Sequence, residues 1–413
     1  MRVGVLHGES IGGVISQADL VLALRRLQPM PRSSRVIDIF IMPRNHANDY
    51  VVQKYVRALE QQGRTRVLDA RQSWAVRILG TAFRGLEFLA IQHPGFRRHY
   101  CGSPLWEGIE GCGFYEDGRP WIGVEPEEED EGWRALASLG VVPGQRIICF
   151  GVRDSTYWSR SRDPSTWGLL SDGGGSTQDF RNTIMTDYLP AVAWLVECGF
   201  TVVRMGAGAP ASPELDELGV VDYANSNQRT EALDLFLFAQ CRAGFFGGAF
   251  GLNQLALALH KPVCVVNFRP FMFTEWSTGH CLLVPSLLEE TATGRILTVE
   301  EMLGHPFHVG SLYDEAGLRF VPNDPNEIRA SIIELLERLD GTWRESSDEA
   351  TRQAEFWDSV ARSQPGYAIY ARPNGGTSRV NSRFRIADLP VTRRRSIIGT
   401  QFLARHGREL LGR

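Results

Sequence analysis

Residues 146–154 read RIICFGVRD, and residues 243–267 read AGFFGGAFGLNQLALALHKPVCVVN. Arg146 to Val152 is a short, almost wholly apolar run, the pattern of a strand buried on both faces. In the second stretch Ala243 to Phe246 repeats that pattern. Gly247 to Gly251 then predicts a glycine-rich turn, Leu252 to Leu259 a helix, and Lys261 to Asn267 the next strand. Strand, turn, helix, strand is the parallel crossover unit. Strands alternating with helices of this length imply a parallel sheet covered on both faces. Such sheets bind ligands beyond the carboxyl ends of their strands. Residues just after strands are therefore the place to look for chemistry.

The same alternation extends in both directions. Asp187 to Cys198 predicts a helix stopped by Gly199, Thr201 to Met205 a strand, Val220 to Tyr223 a short strand and Thr230 to Gln240 a helix. Pro325 to Leu339 is an amphipathic helix, with Asn323-Asp324-Pro325 as its start signal and Ile328, Ile332, Leu335, Leu336 and Leu339 on one face. Towards the N-terminus, Val3 to Leu6 predicts a strand, Ile11-Gly12-Gly13 a loop and Ala18 to Leu27 a helix. Val36 to Ile41 gives a second strand and Tyr50 to Gln62 a second helix. Glu125 to Glu131 is an acidic run that reads as a solvated segment or a helix start. Val142-Pro143-Gly144-Gln145 is turn chemistry and marks a boundary.

The expected organisation is an N-terminal Rossmann-like domain over 1–143, a C-terminal one over 144–345, and a helical, basic tail over 346–413 that packs back on the N-terminal domain. A chain of 413 residues exceeds the roughly 250–300 at which single cores stop growing, in keeping with two domains. Hydrophobic residues at 43% and charged residues at 22% exclude a disordered, collagen-like or coiled-coil chain. A formal charge of −4 argues against a nucleic-acid binder. Lys54 and Lys261 are the only lysines. A GC-rich genome explains an arginine bias of this kind, and planar guanidinium groups also suit phosphate. The seven cysteines form no CxxC pair, and Cys149, Cys198 and Cys264 read as small core residues. With no signal peptide and no apolar run of ~20 residues, the expected setting is the cytoplasm.

Several clusters lie at predicted strand ends. Arg153-Asp154 with Tyr157 offers a guanidinium fork for a diphosphate and a carboxylate to orient it or to bind a sugar hydroxyl. Arg181-Asn182 adds a second cation and an amide able to both donate and accept. Arg204 and Gly206 close the next strand. Asp222, Tyr223, Ser226 and Arg229 precede a helix that Ser226 or Asn227 caps, so that its N-terminus and Arg229 form an anion pocket. Gly247, Gly248 and Gly251 offer backbone N–H groups to phosphate. This turn matches neither the P-loop nor the dinucleotide fingerprint. Glu9, with Asp19 as its competitor, is the candidate general base from the other domain. The clusters also have structural readings as ion pairs, caps and tight turns. His305 and His308 lack the carboxylate or cysteine neighbours of a metal site.

The order CFGVRDSTYW … FRNTIMTDYLPAVAWLVECGFTVVRMG … VVDYANSNQRTEALDLFLFAQCRAGFFGGAFGLNQLALALHKPVCVVN resembles a family of bacterial glycosyltransferases met among genes for surface polysaccharides and other glycans. The likeness spans Ile147 to Asn267, with a fainter echo at Ser10 to Gly13. It implies an α/β, GT-B-like fold of two Rossmann-like doubly wound domains facing a cleft, with the donor nucleotide on the C-terminal one. It also implies Arg153, Asp154, Tyr157, Arg181, Asn182, Arg204, Gly206, Asp222, Tyr223, Ser226 and Arg229 as site residues. The expected reaction is glycosyl transfer from a nucleotide sugar, a co-substrate rather than a cofactor, to a glycan, lipid-linked or protein hydroxyl. Arginines and helix N-termini would stabilise the departing phosphate without a metal. The alternatives are a nucleotide-sugar 2-epimerase or hydrolase and a non-catalytic nucleotide- or glycan-binding subunit. The arginines of the tail (Arg393 to Arg395, Arg405, Arg408, Arg413) suggest peripheral contact with an anionic membrane face.

Overall fold

In the computed structural model, two parallel sheets carry the molecule, one from each half of the chain. The structure describes residues 1–6, 11–27, 36–42, 46–92, 95, 99–101, 119–155, 179–249, 251–271, 281–307, 309–363, 367–371, 377–381 and 396–413. Glu9 and Tyr157 lie outside them, as does most of the loop after Ser155 and the Arg393 to Arg395 run.

The first sheet joins β1 (Arg2–Val5), β2 (Asp38–Met42) and β3 (Thr65–Asp69) in the order β1-β2-β3, all parallel. Its crossovers are α1 (Ile11–Leu27) and α2 (Asp49–Gln61), and α3 (Trp74–Gln92) follows β3. Asn48 caps α2, accepting from the Val51 N–H at 2.8 Å. Helix α1 begins at Ile11, seven residues before the predicted start at Ala18, and so takes in Gly12 and Gly13. The reason is tertiary. A Cβ on Gly12 would lie 3.4 Å from Gln254 Cγ, so the missing side chain lets α1 approach the second half of the molecule.

The acidic run opens α4 (Pro126–Ala137), with Glu125 and Glu128 forming its capping box. The second sheet contains β4 (Ile147–Val152), β5 (Thr201–Arg204), β6 (Ala243–Gly247), β7 (Val263–Phe268), β8 (Cys281–Pro285) and β13 (Ile397–Ile398). The order is β13-β8-β7-β6-β4-β5, all parallel. Between these strands run α5 (Leu189–Glu197), α6 (Glu231–Gln240) and α7 (Gly251–Ala258), and α8 (Pro325–Leu339) packs on β7 and β8. The strands are buried along almost their whole length, as their near-continuous apolar runs require. The predicted strand at Val220 reduces to one parallel bridge, Val203 to Val221, followed by a 3₁₀ turn at Tyr223–Asn225. Two antiparallel pairs complete the strands, β9 (Leu287–Glu290) with β10 (Leu318–Val321) and β11 (Tyr367–Ala371) with β12 (Thr377–Asn381). Cys149 and Cys264 are buried, but Cys198 is exposed because it lies at the end of α5.

The two halves meet through helices: α1 against α7, and α2 and α4 against α6. Lys54 pairs with Glu128 at 2.7 Å within the first half, joining α2 to α4, and the Tyr50 N–H donates across to Glu231 at 3.0 Å. Trp133 meets Phe236 edge-on at 5.3 Å. A Cβ on Gly132 would fall 2.6 Å from the Phe236 ring.

The tail docks elsewhere than predicted. Helix α9 (Ser347–Ser363) packs on the short helix Val299–Gly304, α10 (Thr400–Leu410) packs on α8 and α9, and β13 extends the second sheet. It therefore sits on the C-terminal half. Glu334 explains this by accepting from both the Thr400 N–H and hydroxyl at 2.8 Å. Arg405 and His406 pair with Glu327, and Arg413 pairs with Glu355. These basic groups face the protein's own carboxylates. Among the described residues no helix is long and apolar enough to cross a membrane.

Candidate functional site

Strand order decides where a ligand can bind. From β4 the chain moves outward to β5, then returns to the other side of β4 as β6 and continues through β7 to β8. The reversal between β4 and β6 opens the crevice at their carboxyl ends. Arg153 leaves β4 there, and its N–H donates to the Gly247 carbonyl at 2.9 Å.

Two further arginines come to the same place. Thr183 N–H donates to the Arg153 carbonyl at 3.0 Å, drawing the Asp179–Arg181 turn over the end of β4. Arg181 reaches the Ala249 carbonyl at 2.6 Å, just before α7. Arg269 follows β7 and donates to the Asn182 carbonyl. Its guanidinium lies over the Phe320 ring at 5.5 Å, and Phe320 stacks on Phe180. Arg153 and Arg269 are 6% and 7% exposed.

The electrostatics of the three arginines are dominated by burial. Burial lowers the Arg153 pKa to about 10; Asp179 and Asp154 oppose the shift and Arg269 adds to it. Burial lowers Arg269 to about 10 as well. Arg181 is pushed down by burial and then by the charges of Arg153 and Arg269. Arg153 and Arg269 remain cationic at neutral pH, and Arg181 lies close enough to feel the repulsion of both. Arg269 forms no ion pair among the described residues, and its Nε finds no hydrogen-bond partner there.

A buried polar scaffold fixes this cluster. Asn267, at φ +53°, forms the irregularity between Val266 and Phe268 near the end of β7, a backbone region that asparagine tolerates. Its N–H donates to Asn323 Oδ1 at 2.6 Å, its Oδ1 accepts from the Asn323 N–H at 2.7 Å, and its Nδ2 donates to the Tyr188 hydroxyl at 2.8 Å. Tyr188 fills the space beneath Gly247, where a Cβ would stand 2.5 Å from the phenol. Gly248, at φ +80°, brings the arginine segments together, since a Cβ there would lie 3.0 Å from the Arg181 carbonyl oxygen.

The remaining predicted residues fall into other groups. Gly251 serves helix packing, because its Cβ would stand 2.1 Å from Ile11 Cγ2. Arg204 contacts Asp222 at 3.4 Å and the Pro210 carbonyl at 2.6 Å. Arg229 donates to the Gly206 carbonyl at 2.7 Å and to Asp234 at 2.8 Å. Tyr223 donates to Asp234, and Ser226 to the Tyr223 carbonyl. This second group is internally paired and holds the β5–α6 connection together. The cap of α6 is Thr230, not Ser226 or Asn227. Asp19 is 3% exposed and accepts from Tyr55 at 2.7 Å, inside the α1–α2 pair. Asp154 is half-buried beside Arg153. Asn182 keeps its loop through Asp179 at 3.1 Å, and its Oδ1 is buried with no partner among the described residues. The sequence reading missed Arg269, although it follows a predicted strand as Arg153 does.

No family model matches the chain, and no curated protein matches it. Among solved structures it is similar to ADP-heptose lps heptosyltransferase II of E. coli, at 14% identity over 82% of this chain and 100% of that one, with a TM-score of 0.42. A glycosyl transferase family 9 structure from Veillonella parvula DSM 2008 is 10% identical over 69% of this chain and 86% of its own, with a TM-score of 0.42. E. coli heptosyltransferase WaaC with ADP is 12% identical over 69% and 93%, with a TM-score of 0.34.

Proposed function

We propose that this protein is a glycosyltransferase that takes a nucleotide-activated sugar as donor and a hydroxyl as acceptor, in the synthesis of a surface polysaccharide or another glycan. The observation that carries this reading is the convergence of Arg153, Arg181 and Arg269 at the switch point of the second sheet. Breaking the bond from the anomeric carbon to the donor oxygen leaves negative charge on the departing phosphate. Guanidinium groups already held in place stabilise that charge without reorganising as it develops. Burial strengthens each contact by lowering the local dielectric. Asn182 Oδ1 is available to a sugar hydroxyl. The sequence resemblance supports the same chemistry. Glu9 is our candidate for the general base, with Asp19, which accepts from the Tyr55 hydroxyl, as its competitor.

Thermal stability measured with nucleoside diphosphates and nucleotide sugars tests the reading. A ligand at 100 times its dissociation constant adds about 2.7 kcal/mol. Glycosyl transfer to an acceptor pool is the expected activity. Donor turnover without acceptor identifies an epimerase or hydrolase, and binding without turnover identifies a non-catalytic subunit.

A further inference from the structure

The C-terminal helix reaches the scaffold beneath the arginines. Strand β13 lies against β8, and the Gly399 N–H donates to the Leu283 carbonyl at 3.0 Å. A Cβ on Gly399 would stand 2.8 Å from Val284 Cγ2, so glycine lets the chain turn into α10 close against the sheet. From there α10 runs antiparallel to α8. Its first residue, Thr400, meets Glu334 in the middle of α8, and Arg405 and His406 meet the first turn. Arg405 pairs with Asp324 at 2.7 Å and with Glu327 at 3.3 Å, and His406 Nε2 lies 2.8 Å from Glu327 Oε1.

These two carboxylates form the capping box of α8. Asp324 accepts from the Asn326 and Glu327 N–H groups, and Glu327 Oε2 accepts from the Asp324 N–H at 3.3 Å. Glu327 is 3% exposed, so its charge needs the partners that α10 brings. The residue before the box is Asn323, which holds Asn267 through its N–H and its side chain and donates to the Pro285 carbonyl at 3.0 Å. Asn267 also donates to Tyr188, the residue beneath Gly247, and Arg269 stands two positions after it. Arg405 is 57% exposed, and an exposed ion pair adds little to stability. What Arg405 and His406 fix is the place where α8 begins, and Asn323 is attached to that point. We propose that α10 positions Arg269. Arg405 and His406 hold the first turn of α8, the Asn323–Asn267 pair carries that position to the end of β7, and the crevice binds anions tightly only with the tail docked. Arg405 and His406 are positioning residues and touch no substrate. What the crevice binds rests on the proposed function; that the tail orders its scaffold does not.

Arg405→Ala/His406→Ala in the full chain provides the test. Arg413→Ala is its control, because Arg413 anchors the tail to Glu355 on α9 instead of α8. Two quantities are measured: amide exchange by mass spectrometry over 263–269 and 318–325, and calorimetric affinity for ADP, UDP and inorganic pyrophosphate. In the double variant, exchange in both segments should quicken about tenfold. Affinity should fall about 3- to 30-fold, the usual range for coupling through a packed network. Arg413→Ala should leave both unchanged. Arg405→Lys/His406→Gln, which keeps a cation and an N–H donor, should restore them. Unaltered exchange over 147–152 establishes that the second sheet is folded. Should the double variant not fold, Arg405→Ala alone gives the same reading at smaller amplitude. Unchanged exchange in both segments overturns the proposal whatever the ligand. An equal loss of affinity in Arg413→Ala also overturns it, in favour of a general loosening of the tail. A wild type that binds none of the three ligands overturns the proposed function instead, and the exchange rates still decide whether the tail holds the scaffold.

Discussion

The Arg269 guanidinium donates to the Asn182 carbonyl oxygen, and that bond ties the exit of β7 to the loop that carries Arg181 over the end of β4. Three segments distant in sequence thereby place three cations around one crevice. Like charges are concentrated in this way at a cost to folding, which an anion bound there, as the proposed function requires, would offset.

Arg269→Met therefore separates binding from stability. Methionine keeps much of the stem packing on Phe320 and removes a buried charge. Ligand-free stability is expected to stay within about 1 kcal/mol of wild type or to rise. Nucleoside-diphosphate affinity should fall about 10- to 150-fold, the equivalent of a charged hydrogen bond worth about 1.5–3 kcal/mol. Titration calorimetry alongside denaturant unfolding measures both. Unchanged affinity would remove Arg269 from the site.

Asn323→Ala tests the scaffold beneath the arginines. It leaves the buried Asn267 N–H and Pro285 carbonyl without the Asn323 side chain. Each buried group left unpaired costs about 1–3 kcal/mol, so the unfolding free energy should drop by about 2–5 kcal/mol. Because Asn267 stands two residues before Arg269 and its backbone is held by Asn323, anion affinity should fall too. Full stability in urea unfolding would show that the Asn267–Asn323 pair carries little.

Gly251→Ala probes the contact between the two halves. The added methyl would stand 2.1 Å from Ile11 Cγ2, so α1 and α7 must separate. Overpacking of this kind costs about 1–3 kcal/mol. Ile11→Ala should recover most of the loss, giving a positive coupling in a double-mutant cycle. Additive effects would mean that α1 yields without strain.

The alternation of apolar runs with helical periods was enough to find the second sheet, because its strands are buried on both faces and need continuous apolar sequence. Helix α8 is observed at its predicted limits since Asp324 and Pro325 fix its start locally. The start of α1 was not legible, because Gly12 and Gly13 read as a loop until α7 is seen packed against them. The site was half legible. Arg153 follows a strand and Arg181 lies in the loop before the next helix. The Thr183 N–H to Arg153 carbonyl bond that joins these segments is not legible in the sequence. Nor does anything local reveal that Asp234, one turn into the next helix, pairs with Arg229. The tail's destination was invisible for the same reason: it depends on Glu334 and Thr400, 66 residues apart.

That Arg229–Asp234 pair makes a prediction about pH. Burial raises the Asp234 carboxyl to about 6, against the opposing pull of Arg229 and the Tyr223 hydroxyl. An unfolded aspartate titrates near ~3.9. The folded protein holds this proton more tightly than the unfolded chain, so the group's contribution is fully present below about pH 4. It is lost as pH rises through about 6, and the cost of a buried carboxylate persists at neutral pH. A shift of about two units corresponds to about 3 kcal/mol. Asp234→Asn removes the titration along with the ion pair, so the informative quantity is how its stability difference from wild type changes with pH. Denaturant unfolding from pH 4 to 7 should show the wild type losing about 2 kcal/mol relative to Asp234→Asn over that range. A difference independent of pH would mean that Arg229 keeps Asp234 ionised throughout, and that the pair is as strong in acid as at neutrality.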